Sequence, residues 1–316
     1  MYNKYQIASV VNVLKNNKTN YWTGNECKNF EKEFSKYHNT KYSIAVSNGS
    51  VALELALKAL NLKEGSEVIV TPRSFVISAS SVLNQGLKPI FADVDCNGNL
   101  KLDEILKVYN KNTKAVIIVH LNGLACDLDP IVQFTKNKKI FLIEDCSQAH
   151  GAKYKGKAVG SFGDISTWSF CQDKIISTGG EGGMICTNNK KIWKSCWSYK
   201  DHGKNYDNVF HKKHKQGFRW LHDNLGSNYR MTEMQATLGR YQLQHLDQQI
   251  KKRNQIAYLY INSLGIFIGK TSLFQKLNFK CSNCPLKIPE NKICKSCKHS
   301  FYSINFFFNS KKIQQK

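Results

Sequence analysis

Between residues 42 and 188, short apolar runs alternate with segments that have a helical period. The runs predict seven strands, at 42–48, 66–72, 88–95, 115–123, 140–148, 166–170 and 183–188. Predicted helices lie between several of them, at 50–62, 75–85, 103–109 and 128–137. Most of the strands are continuous apolar runs, which is typical of strands buried on both faces. The repeated β-α units predict an α/β fold with a mostly parallel sheet and helices on both sides.

The pattern changes twice after this region. From about residue 230 apolar residues recur at three- and four-residue steps, which predicts a long connecting helix over 231–264. The last part, 265–316, is rich in Lys, Phe, Asn and Cys and has no clean period. We therefore expect a large α/β domain over 1–230 that includes an N-terminal helical segment, the helix, and a small Cys-rich domain.

The net charge of +23 comes mostly from lysine, since only five of the 46 basic residues are Arg. Nucleic-acid binders favour Arg for base and phosphate contacts, and here the lysines are spread along the chain. This pattern argues against nucleic acid as a partner, although the positive field attracts anionic substrates. The segment 1–10 has no apolar signal stretch, and no run approaches the ~18 apolar residues of a membrane span. We therefore expect a cytoplasmic protein without a membrane partner.

The segment `SNGS` (47–50) follows a predicted strand and opens a predicted helix. The backbone N–H groups of Asn48, Gly49 and Ser50 at a helix N-terminus can bind an anion, with the Ser50 hydroxyl as a further donor. A helix cap after a tight turn explains the same letters equally well. The spacing alone leaves both interpretations open.

The segment `EDCSQAH` (144–150) ends a predicted buried strand with two carboxylates. Asp145 at the strand end can hold the protonated nitrogen of a heterocycle, and Gln148 can face the same pocket. A helix cap, or a partner for a nearby lysine, is the alternative role for Asp145.

The segment `WSFCQDK` (168–174) ends another predicted strand and is followed by a glycine-rich run. Burial beside glycines is expected to lower the pKa of Lys174, and the neutral amine can then form a Schiff base with a carbonyl. Ser169 lies at the end of the strand. A solvated lysine next to a flexible turn is the alternative.

The order of the three segments along the chain indicates that they form one site. An anion site, a strand-end carboxylate and a lysine beside glycines each follow a predicted strand, and strand ends of one parallel sheet meet at one edge. Pyridoxal phosphate needs phosphate donors, an acid beside its ring nitrogen and a Schiff-base lysine. The sequence therefore predicts a site for this cofactor.

The region from about 22 to 260 resembles the DegT/DnrJ family of pyridoxal-phosphate-dependent sugar aminotransferases. The matching stretches are `WTGNECKNFEKEF`, `AVSNGSVALELAL`, `VIVTPRSFVISASS`, `PIFADVD`, `IEDCSQAHGAKYKGKAVGSFGD`, `WSFCQDKIISTGGEGGM` and `NYRMTEMQATLGRYQL`. The resemblance implies the three-layer aspartate-aminotransferase-like fold with a mostly parallel sheet.

The resemblance also implies a role for each site residue. Lys174 and Asp145 are the implied catalytic residues: the lysine binds the cofactor covalently and later moves a proton, and Asp145 pairs with the ring nitrogen. Phe75 is implied to stack on the ring, and Asn228 to reach the phosphate of a neighbouring subunit. The full predicted cofactor-binding set is Asn48, Gly49, Ser50, Phe75, Asp145, Gln148, Ser169, Lys174 and Asn228.

The implied reaction is amino transfer, because the dehydratases of the family carry His in place of Lys174. The expected amino donor is glutamate and the acceptor a nucleotide-linked keto-sugar, in the synthesis of polysaccharide or cell-surface glycan precursors by a homodimer. The segment 299–309 resembles the start of a strand in the family's small domain, after which the chain stops, so this domain is expected to be truncated. The alternative is a truncated or inactive family member with a structural or regulatory role.

Four of the eleven cysteines form two C-x-x-C pairs near the C-terminus, Cys281 with Cys284 and Cys294 with Cys297. Four thiolates in two such pairs can hold a tetrahedral zinc ion. The family does not require a metal here, and chance cysteines in a variable tail explain the same spacing. A structural zinc is therefore a separate hypothesis from the pyridoxal phosphate site.

Overall fold

The structure is a computed structural model that describes residues 2–95, 97–213, 222–268 and 299–302. Its main strands are β1 (Tyr42–Val46), β2 (Glu67–Val70), β3 (Lys88–Phe91), β4 (Thr113–Val119), β5 (Phe141–Asp145), β8 (Ile165–Ser169) and β9 (Gly183–Thr187), and β6 (Lys153–Tyr154) and β7 (Lys157–Ala158) form a short hairpin. The helices are α1 (Lys4–Lys15), α2 (Glu26–Tyr37), α3 (Gly49–Ala59), α4 (Ile77–Asn84), α5 (Leu102–Val108), α6 (Leu128–Lys138), α7 (Lys190–Lys200), α8 (Tyr206–Phe210), α9 (Glu233–Gln244) and α10 (Leu246–Ile268).

The seven main strands form one sheet in the order β1-β9-β8-β5-β4-β2-β3. Strands β3, β2, β4, β5 and β8 are parallel, and β9 runs antiparallel to both of its neighbours. The predicted mostly parallel α/β sheet is therefore confirmed. The carboxyl ends of β5 and β8 lie side by side, since Asp145 pairs with Thr167, and this edge carries the predicted site.

Helices cover both faces of the sheet. On one face α2 and α9 pack together. Phe30 of α2 contacts the ring of Phe170, and Phe34 of α2 contacts the ring of Trp168 in β8. On the other face α3 contributes Leu53 and Leu57, which are four residues apart and share one side of the helix. All of these side chains are almost fully buried, so the central strands have apolar partners above and below.

The connecting helix predicted as one element over 231–264 is two helices, α9 and α10, that meet at His245. The His245 ring nitrogen Nδ1 hydrogen-bonds the carbonyl oxygen of Tyr241 at 2.8 Å, and the two rings stack. That carbonyl is the normal acceptor for the backbone N–H of His245, which bonds the oxygens of Gln242 and Leu243 instead. Among the described residues no helix is both long and apolar enough to cross a membrane.

Other boundaries differ less from the prediction. The strand predicted over 115–123 ends at Val119, and a turn follows in which Asn122 and Gly123 have positive φ angles of 57° and 85°. The domain boundaries at 230 and 264 stay predictions. Most of 265–316 lies outside the described residues.

Candidate active site

The N-terminus of α3 approaches the carboxyl end of β8. The side chain of Asn48 caps the helix by accepting a 2.9 Å hydrogen bond from the Val51 amide. A Cβ added at Gly49 would lie 2.6 Å from the Ser169 Cβ, so a glycine is needed for this close approach. Helix geometry leaves the first-turn amides of Gly49 and Ser50 directed out of the helix. Together with the Ser169 hydroxyl they form a set of donors suited to a phosphate.

Asp145 ends β5 and is buried, with 6% of its surface exposed. Burial raises the pKa of its carboxyl group, against the lowering effect of Ser147 and of the charges of His120 and Lys174. One carboxylate oxygen accepts a 3.0 Å hydrogen bond from the Ser147 amide. A cation placed beside this buried carboxylate would stabilise its ionised form.

Lys174 lies five residues beyond the end of β8, and its side chain is 15% exposed. The predicted lowering of its pKa is wrong. Burial does lower the pKa, but hydrogen bonds from the ammonium to Asp173 at 2.9 Å and Tyr302 at 3.2 Å outweigh it, and the pKa is raised. The sequence pattern suggested a dry glycine pocket, whereas the neighbouring side chain at 173 is an acid.

The structure brings the remaining predicted residues to the same edge to different degrees. Gln148 accepts a 2.8 Å hydrogen bond from the backbone amide of Asn122, in the turn after β4. Phe75 follows β2 and is 69% exposed. Asn228 is exposed and pairs with Asp201 in an isolated bridge. The roles of these residues toward a cofactor or a neighbouring subunit stay predictions.

Glu144, the other carboxylate of the `EDCSQAH` segment, has a role that the sequence did not reveal. It is fully buried and accepts hydrogen bonds from His120 Nε2 at 3.0 Å and from the amides of Gly160, Phe162 and Gly163 at 2.6–2.8 Å. Burial raises the pKa of Glu144, but these bonds and the His120 ring outweigh it, and the pKa is lowered. Glu144 therefore fixes the turn at 160–163 against β4 and β5. The glycines of that turn were a visible signal, but nothing in the sequence connected them to position 144.

His120, Glu144 and Cys146 form a group with the spacing of metal ligands within the described part of the chain. However, the Glu144 oxygens already accept four hydrogen bonds, and His120 Nδ1 accepts one from the Cys126 amide at 3.1 Å. Burial also raises the pKa of the Cys146 thiol well above its usual range. The group is a hydrogen-bonded network rather than a zinc site. The predicted zinc ligands at 281, 284, 294 and 297 lie outside the described residues.

A cluster of charges lies where α7 ends, in the segment 200–207. The buried Asp201 accepts hydrogen bonds from Lys204 Nζ at 2.9 Å and from Arg230 at 2.7 Å. Beside it is a cavity of about 590 Å³. Its lining includes the lysines 58, 194 and 204, the acid Asp207, the tyrosines 199 and 206, and several Ser and Asn side chains. Lys194 pairs with Asp207 and Lys204 with Asp201, so the lining carries charges of both signs and suits a polar ligand.

The mostly parallel sheet, with a helix N-terminus, a buried aspartate and a lysine at its carboxyl edge, has the α/β architecture that the sequence motifs implied for an aminotransferase-like fold. The model of the DegT/DnrJ/EryC1/StrS aminotransferase family matches residues 2–291. The chain belongs to this family, as the sequence motifs predicted.

Named relatives and solved structures agree with this assignment. The chain is 42% identical over 245 residues to the GDP-perosamine synthase of Escherichia coli O157:H7, which is 76% of this chain and 64% of that protein. It is 38% identical over 237 residues to the GDP-perosamine synthase of Vibrio cholerae, 75% of this chain and 62% of that protein. The aminotransferase from Psychrobacter cryohalolentis superposes with a TM-score of 0.92 at 42% identity, over 98% of this chain and 76% of that one. The matches to the two synthases thus span less than two thirds of those proteins.

Proposed function

We propose that this protein is a pyridoxal-phosphate-dependent aminotransferase that moves an amino group from glutamate to a nucleotide-linked keto-sugar. The observation that carries the proposal is the meeting of three groups at one edge of the sheet. They are the Gly49–Ser169 approach, the buried Asp145 carboxylate and the Lys174 amine.

The residues present fit the cofactor. The amides of Gly49 and Ser50 and the hydroxyl of Ser169 would hold the phosphate, because a side chain at 49 would fill the space between them. Asp145 would hold the protonated ring nitrogen, since a cation there offsets the cost of burying the carboxylate. When bound, pyridoxal phosphate supplies an electron sink for a carbanion. Lys174 would attach it covalently and carry a proton on Nζ between donor and acceptor.

The relatives suggest the nature of the acceptor. Two of those named above are GDP-perosamine synthases, and a third relative, 34% identical over 245 residues, is the dTDP-3-amino-3,6-dideoxy-alpha-D-galactopyranose transaminase of Aneurinibacillus thermoaerophilus. We propose a GDP-linked keto-sugar as acceptor, in the cytoplasmic synthesis of a glycan precursor. The enzyme would act as a homodimer in which Asn228 of each subunit serves the site of the other.

A regulatory role without turnover is the second candidate. The chain is 34% identical over 247 residues to the pleiotropic regulatory protein of Geobacillus stearothermophilus, 78% of this chain and 63% of that protein. Such a protein would keep the fold and could bind the cofactor without transferring amino groups.

The experiment is a spectral test of the purified chain with pyridoxal phosphate. We expect an absorbance band from the lysine-bound cofactor that disappears in Lys174→Ala and persists in Lys155→Ala, a matched exposed lysine. The aminated cofactor form is then mixed with candidate keto-sugar nucleotides, and return of the band reports amino transfer. No band in the wild-type protein would refute the proposal, and a band without transfer would favour the regulatory role.

The zinc hypothesis needs its own measurement. Bound zinc in the purified wild-type protein that is lost in Cys281→Ser/Cys294→Ser would support it. A wild-type protein without bound metal would remove it.

A further inference from the structure

The Lys174 ammonium lies in a small polar cluster with Asp173 and Tyr302. Its Nζ is 2.9 Å from Asp173 Oδ2 and 3.2 Å from Tyr302 Oη. The Tyr302 hydroxyl donates a short hydrogen bond to the same Asp173 oxygen, and Nζ lies 4.9 Å from the centre of the Tyr302 ring. Each residue therefore contacts the other two, and the ammonium has a carboxylate, a hydroxyl and a ring face as partners.

Tyr302 is held in place by backbone contacts with the turn that follows β4. The Tyr302 amide donates a 3.0 Å hydrogen bond to the Asn122 oxygen, and the Ser300 amide donates a 3.1 Å bond to the Gly123 oxygen. Gly123 has a φ of +85°, and a Cβ added there would lie 3.0 Å from the Phe301 amide nitrogen and 3.1 Å from that of Tyr302, so a glycine suits this close backbone approach. The segment 299–302 thus places Tyr302 over Lys174 across 128 positions of sequence.

The charges of the cluster favour the ammonium over the amine. Hydrogen bonds from Tyr302 and Lys174 outweigh burial and lower the pKa of Asp173 to about 2, while burial and Asp173 raise the pKa of Tyr302. A covalent link to a carbonyl needs the neutral amine: the ammonium loses one proton, a double bond between Nζ and the carbonyl carbon replaces the C=O bond, and the oxygen leaves as water with the two remaining N–H protons. Inside the cluster Lys174 is therefore held in its unreactive form.

We propose that Asp173 and Tyr302 are positioning residues that hold the Lys174 ammonium beside the site whenever this lysine carries no covalent link. The segment 299–302 then sets how readily the amine is released for reaction. The proposal rests on the proposed function for one point, the identity of the carbonyl as that of pyridoxal phosphate. The contacts among Asp173, Lys174 and Tyr302 do not depend on that identity.

The test measures the proton affinity of Lys174 in the full, cofactor-free chain. Trace labelling with acetic anhydride across a pH series, read by mass spectrometry of the peptide that contains Lys174, gives the pH of half-maximal labelling. We expect Asp173→Asn to lower this pH by about one unit, because the carboxylate partner is lost. Tyr302→Phe should lower it less, since Asp173 stays in contact.

The matched control is Asp129→Asn, which removes the acid that pairs with the exposed Lys155. It should leave the labelling of Lys174 unchanged. Far-UV circular dichroism checks that each variant is folded. A Lys174 midpoint equal to that of the exposed lysines in the wild-type chain, or unchanged in both variants, would overturn the proposal.

A second readout separates this proposal from the proposed function. The rate at which pyridoxal phosphate becomes attached is followed against pH, and its midpoint should fall in Asp173→Asn as the labelling midpoint does. A labelling shift in a chain that never attaches the cofactor would keep the positioning role and reject the function. Attachment of the cofactor with the same midpoint in all variants would reject the positioning role and keep the proposed function.

Discussion

Glu144 and Asp145 are consecutive buried carboxylates at the end of β5, yet their surroundings differ in almost every respect. Glu144 faces His120 and the turn at 160–163, which donate four hydrogen bonds to its carboxylate, and we call this the closed side of the edge. Asp145 lies on the opposite, open side, together with Gly49, Ser169 and Lys174, and among the described residues its hydrogen-bond donors come from Ser147 alone, through the amide and the side chain. The pKa of Glu144 is lowered and that of Asp145 is raised.

The difference follows from the geometry of a strand, because successive side chains point to opposite faces. The Glu144 oxygens accept hydrogen bonds from within the fold, whereas the Asp145 oxygens can still accept hydrogen bonds from a ligand. Burial alone does not distinguish them, whereas the number of donors does.

Asp145→Asn should abolish most of the activity and leave the fold intact. A neutral amide cannot hold the ring nitrogen protonated, so we expect the transfer rate to fall by at least about a hundredfold. The unfolding temperature of the cofactor-free chain should be equal or higher, because a buried charge has been removed. Transfer assays and thermal unfolding measure the two effects. A variant that unfolds readily would place Asp145 with Glu144 as a structural acid.

Glu144→Gln should have the opposite profile and lower the free energy of unfolding. Breaking a buried charged network by changing one partner typically costs about 3–5 kcal/mol. The amide also turns one acceptor oxygen into a donor that faces the amides of the 160–163 turn. Urea unfolding measures the loss. Glu64→Gln, at an exposed position, is the control and should change little, and an equally small effect of Glu144→Gln would contradict the closed-side interpretation.

The sequence predicted the open side better than the closed side, and the reason is physical. The motif residues at 48–50, 145, 169 and 174 each follow an apolar run, so the strand-end rule groups them without any knowledge of packing. The donors to Glu144 come from side-chain and backbone groups up to 24 positions away. No local pattern specifies such contacts.

Two predictions were wrong for the same physical reason. The break at His245 depends on a hydrogen bond between its ring and the Tyr241 carbonyl oxygen. The apolar period of a helix gives no indication of such a bond. The raised pKa of Lys174 depends on hydrogen bonds of the ammonium, first to the adjacent Asp173 and then to Tyr302, which is 128 positions away. Apolar periodicity therefore predicted the strands and the sheet type, and failed where single polar contacts decide.

The two carboxylates should respond oppositely to acid. The pKa of Glu144 is lower in the folded chain, so its stabilisation is present above the unfolded value of about 4.3 and is lost as the pH falls. The pKa of Asp145 is higher in the folded chain, so its unfavourable contribution is relieved as the pH falls through that folded value. Urea midpoints between pH 7 and 3 should therefore fall more steeply in Asp145→Asn and less steeply in Glu144→Gln than in the wild-type chain. Parallel curves for all three would remove the contrast.

Gly49→Ala tests how tightly the open side is built. The added Cβ would lie 2.6 Å from the Ser169 Cβ, and overpacking of this kind typically costs about 1–3 kcal/mol. We expect lower stability of the cofactor-free chain and weaker pyridoxal phosphate binding, measured by urea unfolding and by titration. Adding Ser169→Gly should recover part of the stability but not the binding, since the hydroxyl donor is lost. Recovery of both would mean that Ser169 supplies space and no hydrogen bond.

A smaller effect is expected at the cavity beside the 200–207 segment, which differs from the open side in having no residue predicted to react. If it receives the phosphates of the nucleotide sugar, Lys58→Ala should raise the KM for that substrate about two- to fivefold, in line with the 0.5–1 kcal/mol of an exposed ion pair. The kcat should stay unchanged, because the contact is equal in ground and transition states. The effect should shrink as salt is added, since screening weakens exposed charges. Lys157 is exposed and does not line the cavity, so Lys157→Ala is the control and should leave KM unaltered. An equal change in both variants would assign the effect to the overall positive field of the protein rather than to this cavity.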